Sequence, residues 1–239
     1  PGVAPLRQAV AEKINKLYGR QYDPNTEITI TAGATQALLT IMLAVVHPGD
    51  EVIVIEPVYD SYIPSIDTVG GKAVPVQLIV KRNDAGDITG YEIPWDAMAK
   101  AITPRTKMIM INSPHNPTGM VWQSADIDRL ADLVRDTDIL ICSDEVYEHM
   151  VFDGQQHHSA SSHPALAARS FVVSSFGKTF HVTGWKIGSC IAPAYLTAEF
   201  RKLHQWVTFS SATPLQYALA DYLKEPSHYL GLSDFYQKK

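Results

Sequence analysis

The stretch that decides the fold is Phe171-Val172-Val173-Ser174-Ser175-Phe176-Gly177-Lys178-Thr179. It begins as a short apolar run with two β-branched residues, which is typical of a strand that is covered on both faces. The run ends in small and polar residues, which place the amine of Lys178 just beyond the predicted strand. In an open α/β sheet, ligands bind at the carboxyl ends of the strands. The stretch therefore predicts a buried strand with a candidate functional side chain at its end.

Four more apolar runs of the same kind precede this stretch. Longer segments with helical spacing lie between runs, for example at 34–46 and 123–135. Alternation of this kind favours an α/β domain with a mostly parallel sheet. The four runs are Ile28–Thr31, Val52–Ile55, Met108–Ile111 and Ile139–Cys142.

Polar or small residues follow each of the five runs. Because the carboxyl ends of parallel strands meet at one edge of a sheet, we expect these residues to converge on one crevice. The segment Thr31–Gln36 is a turn of small residues that leads into a predicted helix, and such a turn suits either phosphate binding or an ordinary tight connection. The residues that follow the runs are Gly33, Tyr59, Asn112, Asn116, Asp144, Ser175 and Lys178.

Composition narrows the class of protein. The chain has 239 residues, of which 46% are hydrophobic, so we expect one large domain or at most two small ones. Its net charge of −5 argues against the basic surface of a nucleic-acid binder. Its apolar runs are far shorter than the ~18 residues of a membrane span. Cys142 and Cys190 are not paired in a C-x-x-C motif, and two buried thiols indicate a reducing compartment, with the cytoplasm as the default.

Other motif interpretations are weaker. Gly177-Lys178-Thr179 resembles the end of a nucleotide phosphate loop, but Val172 stands where that loop requires glycine. No G-x-G-x-x-G follows a predicted strand. Glu145 and His149 have helical spacing, yet no third metal ligand is evident. A polar loop with solvated side chains is predicted for His157, His158 and His163.

Three motifs occur in order along the chain. They are Asn116-Pro117-Thr118-Gly119, Asp144-Glu145-Val146-Tyr147, and Ser174–Thr179 followed by Gly184-Trp185-Lys186. Together they resemble the signature of the class I/II aminotransferases of fold type I, the aspartate aminotransferase superfamily. The resemblance covers nearly the whole chain, and the spacings between the motifs also fit. Within this family, Ser113–Gly119 and Ser174–Trp185 are most similar to the methionine aminotransferase and kynurenine/glutamine aminotransferase branch.

The resemblance implies a three-layer α/β/α large domain that binds pyridoxal 5'-phosphate. It implies ping-pong transfer of an amino group from a methionine-, glutamine- or aromatic/kynurenine-type amino acid to a 2-oxo acid. Lys178 would be the Schiff-base lysine and proton shuttle. Asp144 would pair with the pyridine nitrogen and keep it protonated. Tyr147 and Asn116 would hydrogen-bond to the phenolic oxygen of the cofactor, and Asn116 would also contact the substrate.

The resemblance also implies how the rest of the cofactor is held. Lys186 and Ser175 are similar to the family's phosphate-binding pair, although many members carry arginine in place of this lysine. Tyr59 is similar to the aromatic residue that stacks on the cofactor ring. The further cofactor-binding positions that we expect are Gly33, Ala34, Thr35 and Asn112.

The ends of the chain suggest an internal fragment, since a helical pattern runs up to Lys239 and Pro1 is not an initiator methionine. The resemblance implies that 1–239 is the cofactor-binding large domain. Residues 1–25 would be a lead-in helix and linker, and 205–239 would begin the connection to a C-terminal small domain. The arginine that binds the substrate carboxylate and the N-terminal arm would lie outside this chain.

Other functions on the same scaffold stay open at this point. One is a pyridoxal phosphate-dependent carbon–sulfur lyase, and another is a non-catalytic cofactor-binding domain of a regulator. The resemblance implies a homodimer with amino acid and 2-oxo acid as small-molecule partners. The charge and the short apolar runs predict no nucleic-acid and no membrane partner. Methionine, glutamine, aromatic amino acids and kynurenine all stay open as substrates.

Overall fold

The computed structural model describes residues 1–239 and contains a seven-stranded sheet, a separate two-stranded hairpin and helices on both faces of the sheet. The strands are β1 Ile28–Thr31, β2 Glu51–Glu56, β3 Lys72–Gln77, β4 Ile79–Arg82, β5 Ile88–Glu92, β6 Thr106–Asn112, β7 Leu140–Asp144, β8 Ser170–Ser175 and β9 Gly188–Ile191. The helices are α1 Ala4–Tyr18, α2 Gly33–Val45, α3 Tyr62–Thr68, α4 Trp95–Ala101, α5 Ser124–Leu133, α6 Pro164–Ala167, α7 Phe176–Thr179, α8 Ala194–Val207, α9 Thr213–Tyr222, α10 Ser227–Leu230 and α11 Leu232–Gln237.

The large sheet has the strand order β1-β9-β8-β7-β6-β2-β3. Strands β3, β2, β6, β7 and β8 pair in parallel, while β9 is antiparallel to both of its neighbours. The prediction of an α/β fold with a mostly parallel sheet is therefore confirmed. Parallel pairing brings the carboxyl ends of the central strands to one edge, where the predicted site residues follow them.

Each central strand alternates its side chains between two cores. In β2, Ile53 and Ile55 belong to the core that also contains residues of α1 and α5, whereas Val52 and Val54 belong to the core that contains residues of α2 and α8. All four side chains are buried. Because a strand side chain alternates faces with a period of two, one continuous apolar run supplies both layers. This is why the runs carry no charged residue until they end.

All five apolar runs form strands, but the sequence analysis missed four others. β3 is an edge strand with Pro75 in its middle and partly exposed side chains, so it lacks the signature of a buried strand. β4 and β5 form the exposed hairpin. β9 has four residues and begins at Gly188, where a β-carbon would lie only 2.7 Å from the carbonyl oxygen of Ser174.

The proposed divisions at residues 25 and 205 stay predictions. Helix α8 runs across residue 205, and α9 packs back on α1, so that Leu219 and Leu6 belong to the same core. The helical pattern after Ser227 is interrupted at Gly231, which separates α10 from α11. No helix in the chain combines the length and the apolar character that crossing a membrane requires.

Candidate active site

The predicted site residues come together in one cavity at the carboxyl edge of the sheet. The cavity holds about 700 Å³, its open mouth included, and all eleven predicted residues line it. The order of residues along the sequence predicted that residues following five strands would meet in one crevice, and in the structure they do. The lining residues are Gly33, Ala34, Thr35, Leu38, Tyr59, Tyr62, Asn112, Asn116, Asp144, Val146, Tyr147, Ser175, Gly177, Lys178, Thr183, Lys186 and Ile187.

Asp144 is the most deeply buried charged group in the cavity. It ends β7 and is only 4% exposed. The hydroxyl of Tyr62 donates to Oδ2 at 2.6 Å, and the backbone N–H of Val146 donates to Oδ1 at 3.2 Å. Burial raises the pKa of Asp144 to about 6, and these two hydrogen bonds offset only part of that effect. No lysine, arginine or histidine of the chain pairs with this carboxylate.

Tyr62 is the main site residue that sequence reasoning missed. It begins α3, is 4% exposed and contacts Tyr59 edge-on, with 5.6 Å between the ring centroids. Its only sequence signal is its position three residues after Tyr59, which places both rings on one side of a helical turn. Its carboxylate partner is 82 residues away, so the pairing could not be inferred locally.

Lys178 and Tyr147 face each other across the cavity. The ammonium nitrogen Nζ of Lys178 lies 5.5 Å from the centroid of the Tyr147 ring. Lys178 is on the short helix α7, directly after β8, and Tyr147 is on the turn that follows β7. Neither Nζ of Lys178 nor the hydroxyl of Tyr147 hydrogen-bonds to another residue, and neither does the side-chain amide of Asn116. Their polar groups are therefore free to contact a ligand.

Asn112 lines the same cavity, but its side chain already has partners. Its amide N–H donates to the backbone carbonyl of Asp144 at 2.9 Å. Its amide oxygen accepts from the backbone N–H of Asn116 at 2.7 Å. Asn112 thus links the ends of β6 and β7 and fixes the spacing between Asp144 and Asn116.

The other end of the cavity combines a helix N-terminus with a lysine side chain. Gly33 begins the 13-residue helix α2 with φ of +81°, a conformation that favours glycine. A β-carbon at Gly33 would lie 3.7 Å from Nζ of Lys186, so this ammonium sits beside the helix N-terminus. Backbone N–H groups at a helix N-terminus and a nearby cation together attract phosphate. The hydroxyls of Ser175 and Thr35 line the same cavity.

The prediction that His157 is solvated is wrong. Its side chain is 4% exposed, and Nε2 lies 3.0 Å from Oε2 of Glu145. Glu145 also accepts hydrogen bonds from Ser143 and from the backbone of Ala160, so this carboxylate anchors the loop to the end of β7. No group of three or more His, Cys, Asp or Glu side chains is arranged to hold a metal ion.

Known proteins are similar to this chain in sequence. The model of the family "Aminotransferase class I and II" matches residues 1–237. A methionine aminotransferase of Escherichia coli is 49% identical over 239 residues, which cover all of this chain and 60% of that protein. A kynurenine–oxoglutarate transaminase of Dictyostelium discoideum is 35% identical over 253 aligned residues, which cover all of this chain and 58% of that protein.

A solved structure is similarly close. The crystal structure of YbdL from Escherichia coli, described as having a methionine aminotransferase function, superposes with a TM-score of 0.94 at 47% identity. The superposition covers 99% of this chain and 61% of that one. The chain thus spans about 60% of the length of the proteins that it matches.

Proposed function

The chain belongs to the class I and II aminotransferase family, and we propose that it is the cofactor-binding part of an enzyme that transfers an amino group from an amino acid to a 2-oxo acid. Its relatives include methionine and kynurenine aminotransferases, which confirms the branch indicated by its motifs. Members of the family use pyridoxal phosphate. The bound cofactor supplies a protonated ring that delocalises the charge left on the α-carbon of the substrate.

The observation that carries this proposal is the incomplete charge compensation of Asp144. A buried carboxylate needs a cation or several hydrogen bonds to remain ionised. This one has a phenol and one backbone N–H, and it faces a cavity. A protonated pyridine nitrogen would supply the missing positive charge. In return the carboxylate would hold the proton on that nitrogen.

The remaining polar groups fit the other parts of the same cofactor. Lys186, Ser175, Thr35 and the N-terminus of α2 supply a cation, hydroxyls and N–H groups for a phosphate. Tyr59 supplies an aromatic face for the ring. The arrangement places the anion-binding end of the cavity beside Gly33.

Lys178 is the group that would carry the proton. We assign its amine to the aldehyde end of the cofactor and, once that amine is released, to proton transfer at the α-carbon of the substrate. Tyr147 and Asn116 would donate hydrogen bonds to the cofactor's phenolic oxygen and so orient it. Asn116 would also face the substrate, while Asn112 would act by holding Asn116 and Asp144 in place.

The substrate class rests on the relatives rather than on the cavity. We propose a methionine-, glutamine- or aromatic/kynurenine-type amino acid as donor, because the relatives include proteins described as methionine and kynurenine aminotransferases. No arginine lines the cavity, so the residue that binds the substrate carboxylate would come from another part of the whole enzyme. We further propose a homodimer and a cytoplasmic location, the latter supported by two free, buried cysteines.

The test uses the protein that contains this chain, loaded with pyridoxal phosphate. Incubation with methionine, glutamine, phenylalanine or kynurenine and a 2-oxo acid should yield the amino acid corresponding to that oxo acid, with ping-pong kinetics. Release of ammonia and a thiol from methionine, without amino transfer, would instead establish a carbon–sulfur lyase. Cofactor binding without turnover of any substrate would favour a regulatory domain.

Lys178→Ala should abolish the absorption band of the lysine-linked cofactor and lower turnover by about 10³-fold or more. The matched control is Lys202→Ala, which removes an exposed lysine that pairs only with Glu199 on α8. The control should retain both the band and the activity. A Lys178→Ala protein that keeps the band would show that the amine has been assigned to the wrong residue.

A further inference from the structure

Glu148 directly follows Tyr147 on the turn after β7, but its side chain does not reach the cavity of the candidate site. It lines a separate small pocket on the α1 side of the sheet. Glu148 is 5% exposed, and the side chain of Lys13 beside it is 8% exposed. A buried glutamate that is paired with a buried lysine therefore lies next in sequence to a proposed site tyrosine.

The Glu148 carboxylate receives three short hydrogen bonds. Nζ of Lys13 and Oγ of Ser174 lie 2.5 and 2.6 Å from Oε1, and the hydroxyl of Tyr18 lies 2.6 Å from Oε2. Burial by itself would raise the pKa of Glu148, but Lys13 and these hydrogen bonds hold it well below its ordinary value. The carboxylate is therefore ionised and fully engaged at neutral pH.

The three donors come from two different elements. Lys13 and Tyr18 belong to α1, whereas Ser174 belongs to β8 and immediately precedes Ser175. The carboxylate thus ties the turn that bears Tyr147 to the strand that leads into Lys178. These two site residues are the ones that face each other, with 5.5 Å between Nζ and the ring centroid.

Two more aromatic groups lie beside this pair. The ring of Tyr229, on α10, lies 5.8 Å from Nζ of Lys13 and contacts the ring of His149. Nε2 of His149 is 3.8 Å from Oε2 of Glu148, and burial lowers the pKa of this histidine to about 3. His149 is consequently neutral, and Lys13 is the only cation that compensates Glu148.

We propose that Glu148 and Lys13 form a positioning pair, which holds the Tyr147 turn in register with the end of β8 and so sets the relation of Tyr147 to Lys178. The inference rests on the proposed function, because it assigns a role in that same site. A buried ion pair is weak support for stability, since apolar residues of similar volume often serve as well. Three directional hydrogen bonds from two elements do, however, fix geometry, which apolar packing does less well.

The test compares Glu148→Gln, Lys13→Met and the double variant in the cofactor-loaded protein. If the pair acts by position, both single variants release the same turn. Both should then move the pH midpoint of the cofactor absorption band in the same direction and lower kcat by about 10- to 100-fold with KM little changed. The double variant should lose no more than the worse single variant, because one unit has been broken.

A purely electrostatic influence gives a different pattern, since one substitution removes a negative charge and the other a positive charge. Midpoints that move in opposite directions, or that do not move, would overturn the inference. Tyr18→Phe keeps the ion pair and removes one neutral donor. Tyr18→Phe should shift the midpoint in the same direction as Glu148→Gln but by a smaller amount. It replaces Glu148→Gln in the test if that variant does not fold.

Glu51→Gln is the matched control for general damage. Glu51 is another buried carboxylate with cationic partners, Lys72 and Arg105, but it lies at the start of β2 on the opposite edge of the sheet. This variant should lose stability while its cofactor band titrates as in the unmodified protein. If Glu51→Gln shifts the midpoint as Glu148→Gln does, the effect of Glu148→Gln comes from loss of stability and not from positioning. Absence of any cofactor band in the unmodified protein would instead overturn the proposed function itself.

Discussion

Asp144, the last residue of β7, and Glu148, on the turn that follows, are both buried carboxylates, but their surroundings are opposite in kind. Glu148 has a lysine and two hydroxyls from its own chain, and its pKa lies well below the ordinary value. Asp144 has one phenol and one backbone N–H, and burial raises its pKa to about 6. The difference separates a charge that the fold itself compensates from one that is left for a ligand to compensate.

The largest effect expected from this comparison is that of Glu148→Ala on stability. The substitution leaves Lys13 buried without a partner, so the free energy of unfolding should fall by about 3–5 kcal/mol. Urea denaturation of the cofactor-free protein at pH 7 measures this loss. Asp144→Ala is the control, because it removes a carboxylate that lacks a cation and should cost less. Equal losses would mean that the two carboxylates do not differ as described.

The second effect concerns Asp144 and pH. Because its pKa in the folded chain is above that in the unfolded chain, the folded state holds this proton more tightly, and stability should fall as pH rises from about 4 to beyond 6. A shift of this size corresponds to about 3 kcal/mol at most.

Asp144→Asn should remove that part of the pH dependence. The stability of the variant relative to the unmodified protein should therefore increase from pH 5 to pH 8. Urea denaturation of both cofactor-free proteins at the two pH values measures it. The contribution of Glu148 has the opposite sign and is lost only in stronger acid. Parallel pH profiles for the two proteins would contradict the charge state assigned to Asp144.

A third effect concerns Lys186, the cation at the opposite end of the cavity. Like Asp144, it has no oppositely charged partner within the chain, so we expect Lys186→Ala to leave the cofactor-free protein as stable as before. Affinity for pyridoxal phosphate should fall by about 10- to 100-fold, as for loss of one charge-assisted contact. Absorption titration measures the affinity, and Lys202→Ala is the control. Unchanged affinity would place the phosphate elsewhere.

The smallest effect expected is that of Tyr62→Phe. Without the phenol, Asp144 loses one of its two donors, its pKa should rise further, and affinity for the cofactor should fall by about tenfold. Tyr22→Phe is the matched control, because Tyr22 is another buried tyrosine whose hydroxyl bonds only Ser161. A drop of the same size in both variants would show a packing effect instead.

The positions of the site residues could be predicted from the sequence, but the partners of the two buried carboxylates could not. Asp144, Asn116 and Lys178 could be found because each follows an apolar run, and the topology of a parallel sheet brings such positions together. Strands covered on both faces and amphipathic helices were predictable for the same reason, since burial leaves a pattern in consecutive residues.

The contacts that define each charge could not be found in this way. Tyr62 is 82 residues from Asp144, and Lys13 is 135 residues from Glu148. Glu148 and His157 look like surface residues in sequence, because a polar side chain carries no local sign of the partner that allows its burial. Edge strand β3 was missed because it buries too little to show a pattern. Strand β9 is fully buried, but it has only four residues, and two of them are Gly188 and Ser189, so no apolar run marks it.

Gly188 has a consequence for the kind of molecule that the cavity accepts. A β-carbon there would lie 2.7 Å from the carbonyl oxygen of Ser174 and 3.0 Å from the backbone nitrogen of Ala34. Glycine therefore lets β9 lie close both to the strand that leads to Lys178 and to the N-terminus of α2. In the proposed function these two places would hold the aldehyde and the phosphate of the cofactor, so a ligand with a different spacing between those two groups would not reach both at once.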